Sequence, residues 1–254
     1  MDLPVNTFKR AITSGQPQIG LWSTLTSSYA IEAIAGAGYD WLLIDTEHSP
    51  ADLENVVHQL QAVQPYPTHA VARVPWNDMV TIKRFLDVGC QSLLIPYVQT
   101  AEEAKAAVSY TRYPPAGVRG VSAVTRATRF GRIPGYARNA EKEICVLVQI
   151  ETELGMKNLE AIAAVEGVDG VFIGPGDLHA SYGYVGETAN PKVVPLIDEA
   201  MVRIRKCGKA PGILTGVVSD AKRWLELGGL FVAVGNDSSI LARESEKLLA
   251  QFKK

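Results

Sequence analysis

Acidic side chains follow two of the apolar runs in this sequence, where each run ends. Glu151 closes the run ICVLVQIE, and Asp177 comes just after GVFIGP. Two carboxylates directed at one place repel each other unless a cation lies between them. Ligand sets made only of oxygen atoms select hard or borderline ions such as Mg²⁺ and Mn²⁺. We therefore predict that Glu151 and Asp177 hold a divalent metal ion and leave positions for a chelating ligand and water.

Each acid also has a purely structural interpretation, which spacing alone leaves open. Asp177 precedes Leu178 and could cap the N-terminus of a helix. A surface salt bridge suits Glu151 less well, because the residues before it are apolar and indicate a buried strand.

Proton transfer and anion binding have candidates in the same kind of position. His48 lies three residues beyond Asp45 and one beyond Glu47, and a histidine beside a carboxylate is a common proton-transfer group. A loop histidine that caps the next helix is the alternative. Arg73 stands in the apolar run HAVARV, where burial is costly unless the guanidinium meets an anion. That anion is either a ligand or one of the acids Asp45 and Glu47.

Other polar residues have weaker signals. Asp87 lies near the end of a predicted helix, where an acid opposes the helix dipole, so either a role elsewhere or a surface position explains it. His58 and His69 are expected to be structural, and His179, close behind Asp177, is expected to be a solvated loop residue. None of the apolar runs contains Lys, so we expect no Schiff-base lysine, and carbanion chemistry would depend on a metal ion. No Walker pattern occurs, and we expect no bound nucleotide.

The elements that must position these residues follow a regular order. Apolar, β-branched runs recur at 19–25, 41–47, 69–74, 92–98, 144–151, 170–175, 211–216 and 230–236. Helical patterns lie between them. Eight units in 254 residues give about 32 residues each, the size of a βα unit in a (β/α)₈ TIM barrel. Residues 1–254 are thus predicted to form one α/β barrel domain. A doubly wound sheet is the alternative, although it normally has a Gly-rich turn after its first strand.

Composition excludes several classes of function. The chain has 25 basic and 27 acidic residues, a net charge of −2, so it lacks the basic excess that nucleic-acid binding needs. No run approaches the roughly 18 apolar residues of a membrane span. The three cysteines, Cys90, Cys145 and Cys207, lie far apart, which favours a reducing cytoplasm and no disulfide framework.

Several of these segments together resemble a known family. LLIDTEHSP, VARVP, VLVQIET, GVDGVFIGPGDL, GKAPGIL and LELGGLFVAVGND occur in this order between about residues 5 and 250. They are similar to the HpcH/HpaI family of class II, metal-dependent 4-hydroxy-2-oxo acid aldolases. The resemblance implies cleavage of a 4-hydroxy-2-oxo acid to pyruvate and an aldehyde such as succinic semialdehyde. It also implies a divalent ion (Mg²⁺, Mn²⁺ or Co²⁺) and a homo-oligomer, commonly a hexamer, whose last helix is exchanged between subunits.

The resemblance also assigns residue roles. It implies that His48 accepts the proton, that Glu151 and Asp177 bind the metal, and that Arg73 stabilises an enolate-like transition state. Asp87, together with Asp45, would raise the basicity of the histidine, and Glu47 would support metal-bound water. Substrate contacts are expected from Gln149, Gly176, Asp177, Arg73, Trp22 and Leu214.

Departures from the family pattern concern the aldehyde side. Gly176 stands where relatives often have Ala, and the stretches 179–190 and 215–217 differ as well. Alternatives within the scaffold are a sugar-acid aldolase acting on 5-keto-4-deoxyglucarate or 2-keto-3-deoxyrhamnonate, and a CoA-ester lyase. The lyase would need a basic surface at the mouth of the site, for which the candidates are Arg119, Arg126, Arg129 and Arg132. A non-catalytic 2-oxo acid binding protein is a further alternative.

Overall fold

Parallel strands form a closed barrel in the computed structural model, which describes residues 1–253. Over these residues the eight strands are hydrogen-bonded in sequence order, and β8 closes on β1. They are β1 Gln18–Ser23, β2 Trp41–Asp45, β3 His69–Arg73, β4 Ser92–Ile95, β5 Cys145–Ile150, β6 Gly170–Ile173, β7 Ala210–Leu214 and β8 Phe231–Asn236. The predicted (β/α)₈ barrel is confirmed, and closure excludes the doubly wound sheet.

Helices surround the barrel and precede its first strand. They are α1 Thr7–Thr13, α2 Ser28–Ala35, α3 Leu53–Val63, α4 Met79–Asp87, α5 Ala101–Tyr110, α6 Tyr136–Glu143, α7 Glu153–Lys157, α8 Leu159–Ala163, α9 Pro175–Ser181, α10 Val194–Lys206, α11 Val218–Glu226 and α12 Asp237–Leu249. Many begin at a side-chain cap, and α5 has a full capping box in which Thr100 and Glu103 satisfy each other's backbone amides. No helix within residues 1–253 is long and apolar enough to cross a membrane.

Some element boundaries differ from the sequence prediction, for local reasons. The run 92–98 is a strand only to Ile95, because Pro96 has no N–H to donate and Tyr97 turns into the left-handed region (φ 57°). The helix predicted after β5 is divided at Asn158 into α7 and α8. The long loop predicted at 112–141 is shorter, since α6 begins at Tyr136.

Aromatic rings fill the half of the barrel nearer the amino ends of the strands, and glycines leave space for them. Trp41 and Phe231 are fully buried with ring centroids 6.1 Å apart. Phe8, from α1, packs against both rings and closes the amino-terminal end. A Cβ atom at Gly20 would lie 2.2 Å from the Trp41 ring, and one at Gly212 would lie 2.1 Å from the Phe231 ring. Both positions therefore require glycine, and this packing holds the strand ends above it in place.

His69 joins the same end of the barrel in its neutral form. Its ring stacks on Phe8 at 5.6 Å, and its Nε2 lies 2.9 Å from Ser92 Oγ. The Ser92 hydroxyl accepts from Asn6 Nδ2, so its own proton is free for the imidazole. Burial of the ring lowers the pKa of His69 to about 4.

Substitution of Gly212 by Ala tests the interior packing. We expect Gly212→Ala to lower the free energy of unfolding by roughly 1–3 kcal/mol, because the new Cβ would lie 2.1 Å from the Phe231 ring, which packs against other aromatic rings. Gly216→Ala is the control, since a Cβ there meets no atom within 4 Å. Urea denaturation of both variants provides the measurement. Equal stability of the two variants would contradict the packing described.

Acid titration tests the state of His69. Its pKa is about 4 in the folded chain and about 6.5 when unfolded, so the unfolded chain binds the proton first. The contribution of neutral His69 to the free energy of unfolding is therefore complete above about pH 6.5 and is lost as the pH falls from 6.5 toward 4. We expect His69→Gln to reduce the fall in thermal midpoint over this range, whereas His58→Gln, on the exposed face of α3, leaves it unchanged. If the thermal midpoint of His69→Gln fell with pH as steeply as that of the wild type, the imidazole would not be held neutral.

Candidate active site

A cavity of about 770 Å³ opens at the carboxyl ends of the strands, where a TIM barrel places its chemistry. Most of the residues that the sequence singled out line it together: Trp22, His48, Arg73, Gln149, Glu151, Gly176, Asp177 and Leu214. Asp45 and Glu47 lie behind this wall and contact Arg73. Asp87 is elsewhere.

Arg73 is the centre of a charged cluster. It donates from Nε and Nη2 to the two oxygens of Asp45, at 2.8 and 2.7 Å, in a bidentate pair set by the β2–β3 register. Its Nη1 lies 2.8 Å from Glu47 Oε2 without the alignment of a hydrogen bond. Its guanidinium carbon is 5.2 Å from the centre of the Trp22 ring. The predicted ion pair of Arg73 with Asp45 and Glu47 is therefore confirmed, and the guanidinium also lines the cavity, which its predicted role in anion binding requires.

Glu151 is held in a fixed orientation at the end of β5. Its Oε1 accepts from the backbone N–H of Tyr97 at 2.8 Å, and its Oε2 accepts from Gln149 Nε2 at 2.5 Å. Gly174 lets β6 approach closely, since a Cβ there would lie 2.7 Å from Glu151 Oε2. Asp177 is the third residue of α9, whose N-cap is Gly174. The capping role considered for Asp177 is therefore wrong.

The carboxylates lie close enough to disturb one another's ionisation. Burial, followed by the negative charges of Glu47 and Asp177, raises the pKa of Glu151 to about 7. Burial likewise raises the pKa of Glu47 to about 6, with Arg73 opposing the shift and Asp45 and Asp177 adding to it. The site therefore has more carboxyl groups than its one arginine can keep fully ionised.

The residues present suit a divalent cation. Two buried oxygens, Glu47 Oε2 and Gln149 Oε1, have no hydrogen-bond partner, beside the convergent carboxylates of Glu151 and Asp177. Oxygen donors with surplus negative charge fit a hard ion. Among residues 1–253 no group of three or more His, Cys, Asp and Glu side chains is arranged to hold a metal alone.

His48 stands at the rim of the cavity. Its side chain is 64% exposed, and its Nε2 is 4.0 Å from Glu47 Oε2. Asp45, by contrast, uses its side-chain oxygens on Arg73 and on the Glu47 amide. The carboxylate that accompanies the imidazole within this chain is therefore Glu47, while Asp45 positions the arginine.

Asp87 lies at the other end of the barrel. It is the last residue of α4, which runs from the carboxyl ends of the strands back to their amino ends. Its Oδ1 accepts from Arg119 Nη2 at 2.9 Å. Arg119 is fully buried, 4.5 Å from the centre of the Tyr113 ring and 5.9 Å from that of Tyr136. The structure does not bring Asp87 to His48 within one chain, and the contacts of Asp87 anchor the loop after α5.

Three residues near the site have properties that the sequence did not indicate. Tyr97 contributes its backbone N–H, aimed at Glu151 by a left-handed φ of 57°, and such a main-chain role leaves no side-chain signal in a sequence. His179, expected to be solvated, is fully buried. Gly176, in turn, does not require glycine, since a Cβ there meets no atom within 4 Å.

Comparisons with known proteins agree over nearly the whole chain. The family described as HpcH/HpaI aldolase/citrate lyase matches residues 18–243. A pyruvate aldolase of Rhizobium etli is 60% identical over 99% of both chains. A 4-hydroxy-2-oxo-heptane-1,7-dioate aldolase of Shigella sonnei is 58% identical over 97% of this chain and 95% of its own. The crystal structure of an HpcH/HpaI aldolase/citrate lyase family protein from Burkholderia cenocepacia has a TM-score of 0.95 at 37% identity, covering 98% of this chain and 100% of that one.

Titration with Mn²⁺ tests the metal site directly. Removing even a partner of a metal ligand costs about 10- to 100-fold in affinity, so we expect Glu151→Gln to weaken Mn²⁺ binding at least that much. Glu153→Gln, two residues along on the half-exposed start of α7, is the matched control and should bind like the wild type. Water-proton relaxation measures the bound Mn²⁺. Equal affinity in both variants would remove Glu151 from the site.

Proposed function

The chain belongs to the HpcH/HpaI aldolase/citrate lyase family, and we propose that it is a class II pyruvate aldolase. It cleaves a 4-hydroxy-2-oxo acid to pyruvate and an aldehyde, and it catalyses the reverse addition. The single observation that carries the proposal is one cavity in which Glu151, Asp177, Arg73 and His48 converge. The names of relatives 58–60% identical, a pyruvate aldolase and a 4-hydroxy-2-oxo-heptane-1,7-dioate aldolase, support it.

Glu151 and Asp177 are the residues that would hold the divalent ion, Mg²⁺, Mn²⁺ or Co²⁺. When bound, such an ion would supply Lewis-acid polarisation of the 2-oxo acid and would favour the negative charge that develops during cleavage. Gln149 keeps Glu151 oriented through its amide N–H, and its unpartnered Oε1 faces the same region. Backbone at Gly176 and Asp177 contacts the 2-oxo acid, and Trp22 and Leu214 supply apolar walls.

His48 acts as the base. It removes the proton from the C4 hydroxyl, the C3–C4 bond breaks, C4 becomes the aldehyde carbonyl, and the electron pair remains on C3 as an enolate. Glu47 Oε2, 4.0 Å from Nε2, is the carboxylate oxygen beside this imidazole. After the aldehyde has left, a proton returns to C3 and pyruvate is released.

Arg73 stabilises the charge that develops on the enolate oxygen. Because Asp45 holds it with two hydrogen bonds, the guanidinium does not have to reorganise during the reaction. It is 7% exposed, so its charge acts in a region of low dielectric, where electrostatic stabilisation is stronger than in water.

The CoA-ester lyase alternative gains no support from two of its four candidate arginines. Arg119 is buried against Asp87, and Arg126 donates to the carbonyl of Val88, beyond the end of α4. Both therefore lie at the amino-terminal face of the barrel, away from the cavity that contains Glu151. A basic surface for a nucleotide at the mouth of the site is not formed by these two residues.

The last helix, α12, has exposed apolar side chains that bear on how the protein assembles. The start of α12 is anchored to the end of β1, where Asp237 accepts from Ser23 and Thr24. Beyond it, Leu241, Leu248 and Leu249 are more than half exposed. We propose that this apolar surface is covered by a second subunit through exchange of α12, within a homo-hexamer. The three free thiols suit a reducing cytoplasm.

Pyruvate release tests the activity. A panel of 4-hydroxy-2-oxo acids is supplied, and pyruvate is followed as NADH oxidation by added lactate dehydrogenase. We expect release to stop with chelator and to return with Mg²⁺, Mn²⁺ or Co²⁺. His48→Ala should reduce kcat by about 10²- to 10⁴-fold, the contribution of a positioned base.

His58→Ala is the matched control, because His58 lies on the exposed face of α3 and outside the cavity. Full activity of His48→Ala would contradict the base assignment. No release by folded wild-type protein with any of the three metals would contradict the proposed function and favour a 2-oxo acid binding protein.

A further inference from the structure

A buried histidine outside the cavity joins two segments of the cavity wall. His179 lies on α9, two residues after Asp177, and is fully buried. Its Nδ1 is 2.6 Å from the carbonyl oxygen of Pro175, and its Nε2 is 3.2 Å from the backbone N–H of Asn190. Since a carbonyl only accepts and an amide only donates, Nδ1 carries the proton and Nε2 is the acceptor. The ring is thus a neutral bridge between α9 and a distant loop.

The same residue holds both ends of that loop. The loop 184–190 begins where the N–H of Tyr184 donates to the backbone carbonyl of His179 at 2.8 Å. It ends at Asn190, whose N–H donates to the ring of His179. Inside the loop, Asn190 Nδ2 donates to Glu187 Oε2 at 2.7 Å, and the N–H of Glu187 donates to the carbonyl of Tyr184 at 3.2 Å. Asn190 is also held from the other side, because its carbonyl and its Oδ1 accept from N–H groups within 192–194. Between the two ends the loop is exposed, and His179 ties it back to α9.

The loop reaches the cavity through Thr188 and Ala189. The groups assigned to the pyruvate half, Glu151 and Arg73, stand at strand ends. Thr188 and Ala189 belong to a different part of the wall, from a loop between α9 and α10. The part of the substrate beyond C3 extends away from these strand ends, toward the cavity wall that loops form, of which Thr188 and Ala189 are one section and 215–217 another. In a 4-hydroxy-2-oxo acid, that portion becomes the aldehyde.

We propose that His179 is a positioning residue for the aldehyde half of the substrate. By fixing both ends of the loop 184–190, it sets where Thr188 and Ala189 stand, and it thereby sets the affinity for the aldehyde. The proposal rests on the proposed function. It predicts an effect on aldehyde binding that is separable from formation of the pyruvate enolate, which depends on the strand ends.

Two substitutions separate the two hydrogen bonds of the ring. In His179→Asn the side-chain amide can replace Nδ1 and keep the bond to Pro175, but it is too short to reach Asn190. In His179→Gln the amide oxygen can replace Nε2 and keep the bond to Asn190. Glu187→Ala loosens the loop from its exposed side, at a residue whose replacement does not endanger folding.

The measurements use the full-length protein with Mn²⁺. The first is the rate at which solvent deuterium enters C3 of pyruvate, followed by proton NMR, which needs only the pyruvate half of the site. The second is the KM for succinic semialdehyde in the addition to pyruvate. We expect His179→Asn to raise the aldehyde KM about five- to tenfold, the equivalent of one lost hydrogen bond, with the deuterium exchange rate unchanged. His179→Gln should retain more of the affinity, and Glu187→Ala should shift the aldehyde KM in the same direction as His179→Asn.

Two results would overturn the proposal. A parallel loss of pyruvate exchange and aldehyde affinity would make His179 a general structural residue. An unchanged aldehyde KM in His179→Asn and Glu187→Ala would show that the loop does not set the aldehyde site. If His179→Asn fails to fold, Glu187→Ala alone decides between these results. A folded wild-type protein that neither exchanges pyruvate protons nor releases pyruvate would instead contradict the proposed function, and is recognised before any variant is measured.

Discussion

The convergence of acidic groups on one guanidinium is the interaction on which the site depends. Asp45 and Glu47 contact Arg73 directly, and the negative charges of Glu47 and Asp177 raise the pKa of Glu151. One arginine cannot balance four carboxylates in a region of low dielectric. This surplus of carboxyl groups favours a cation, and the paired arginine still lines the cavity. The same cluster would therefore serve both the proposed metal ion and the proposed enolate.

Such a cluster persists only where the backbone beneath it is rigid. The barrel is tightly packed near the amino ends of its strands, where Trp41 and Phe231 fill the space left by Gly20 and Gly212. With those positions fixed, the register between β2 and β3 places Asp45 beside Arg73. The packing of apolar residues at one end thus determines the geometry of charged residues at the other.

Strand ends and loops have different tasks in this architecture. The residues assigned to the pyruvate half stand on strands or directly after them, where hydrogen bonding to two neighbouring strands fixes the backbone. Thr188 and Ala189 stand on a loop whose ends are held by a few hydrogen bonds, two of them to His179. A loop of this kind can change in sequence without disturbing the strand ends.

The sequence by itself determined the barrel and most of its site. The length and spacing of the apolar runs and the number of βα units indicated eight parallel strands. The polar residues at or just after the ends of these runs included Glu151, Arg73 and His48. These signals are local, so a single sequence contains them. Contacts between distant segments were decided only by the tertiary structure. Asp87 has a helix-end sequence signal but pairs with Arg119 at the opposite face, Tyr97 acts through its backbone, and His179 is buried by a loop that returns to it. Local sequence cannot specify such pairings, because they depend on which segments closure of the barrel brings together.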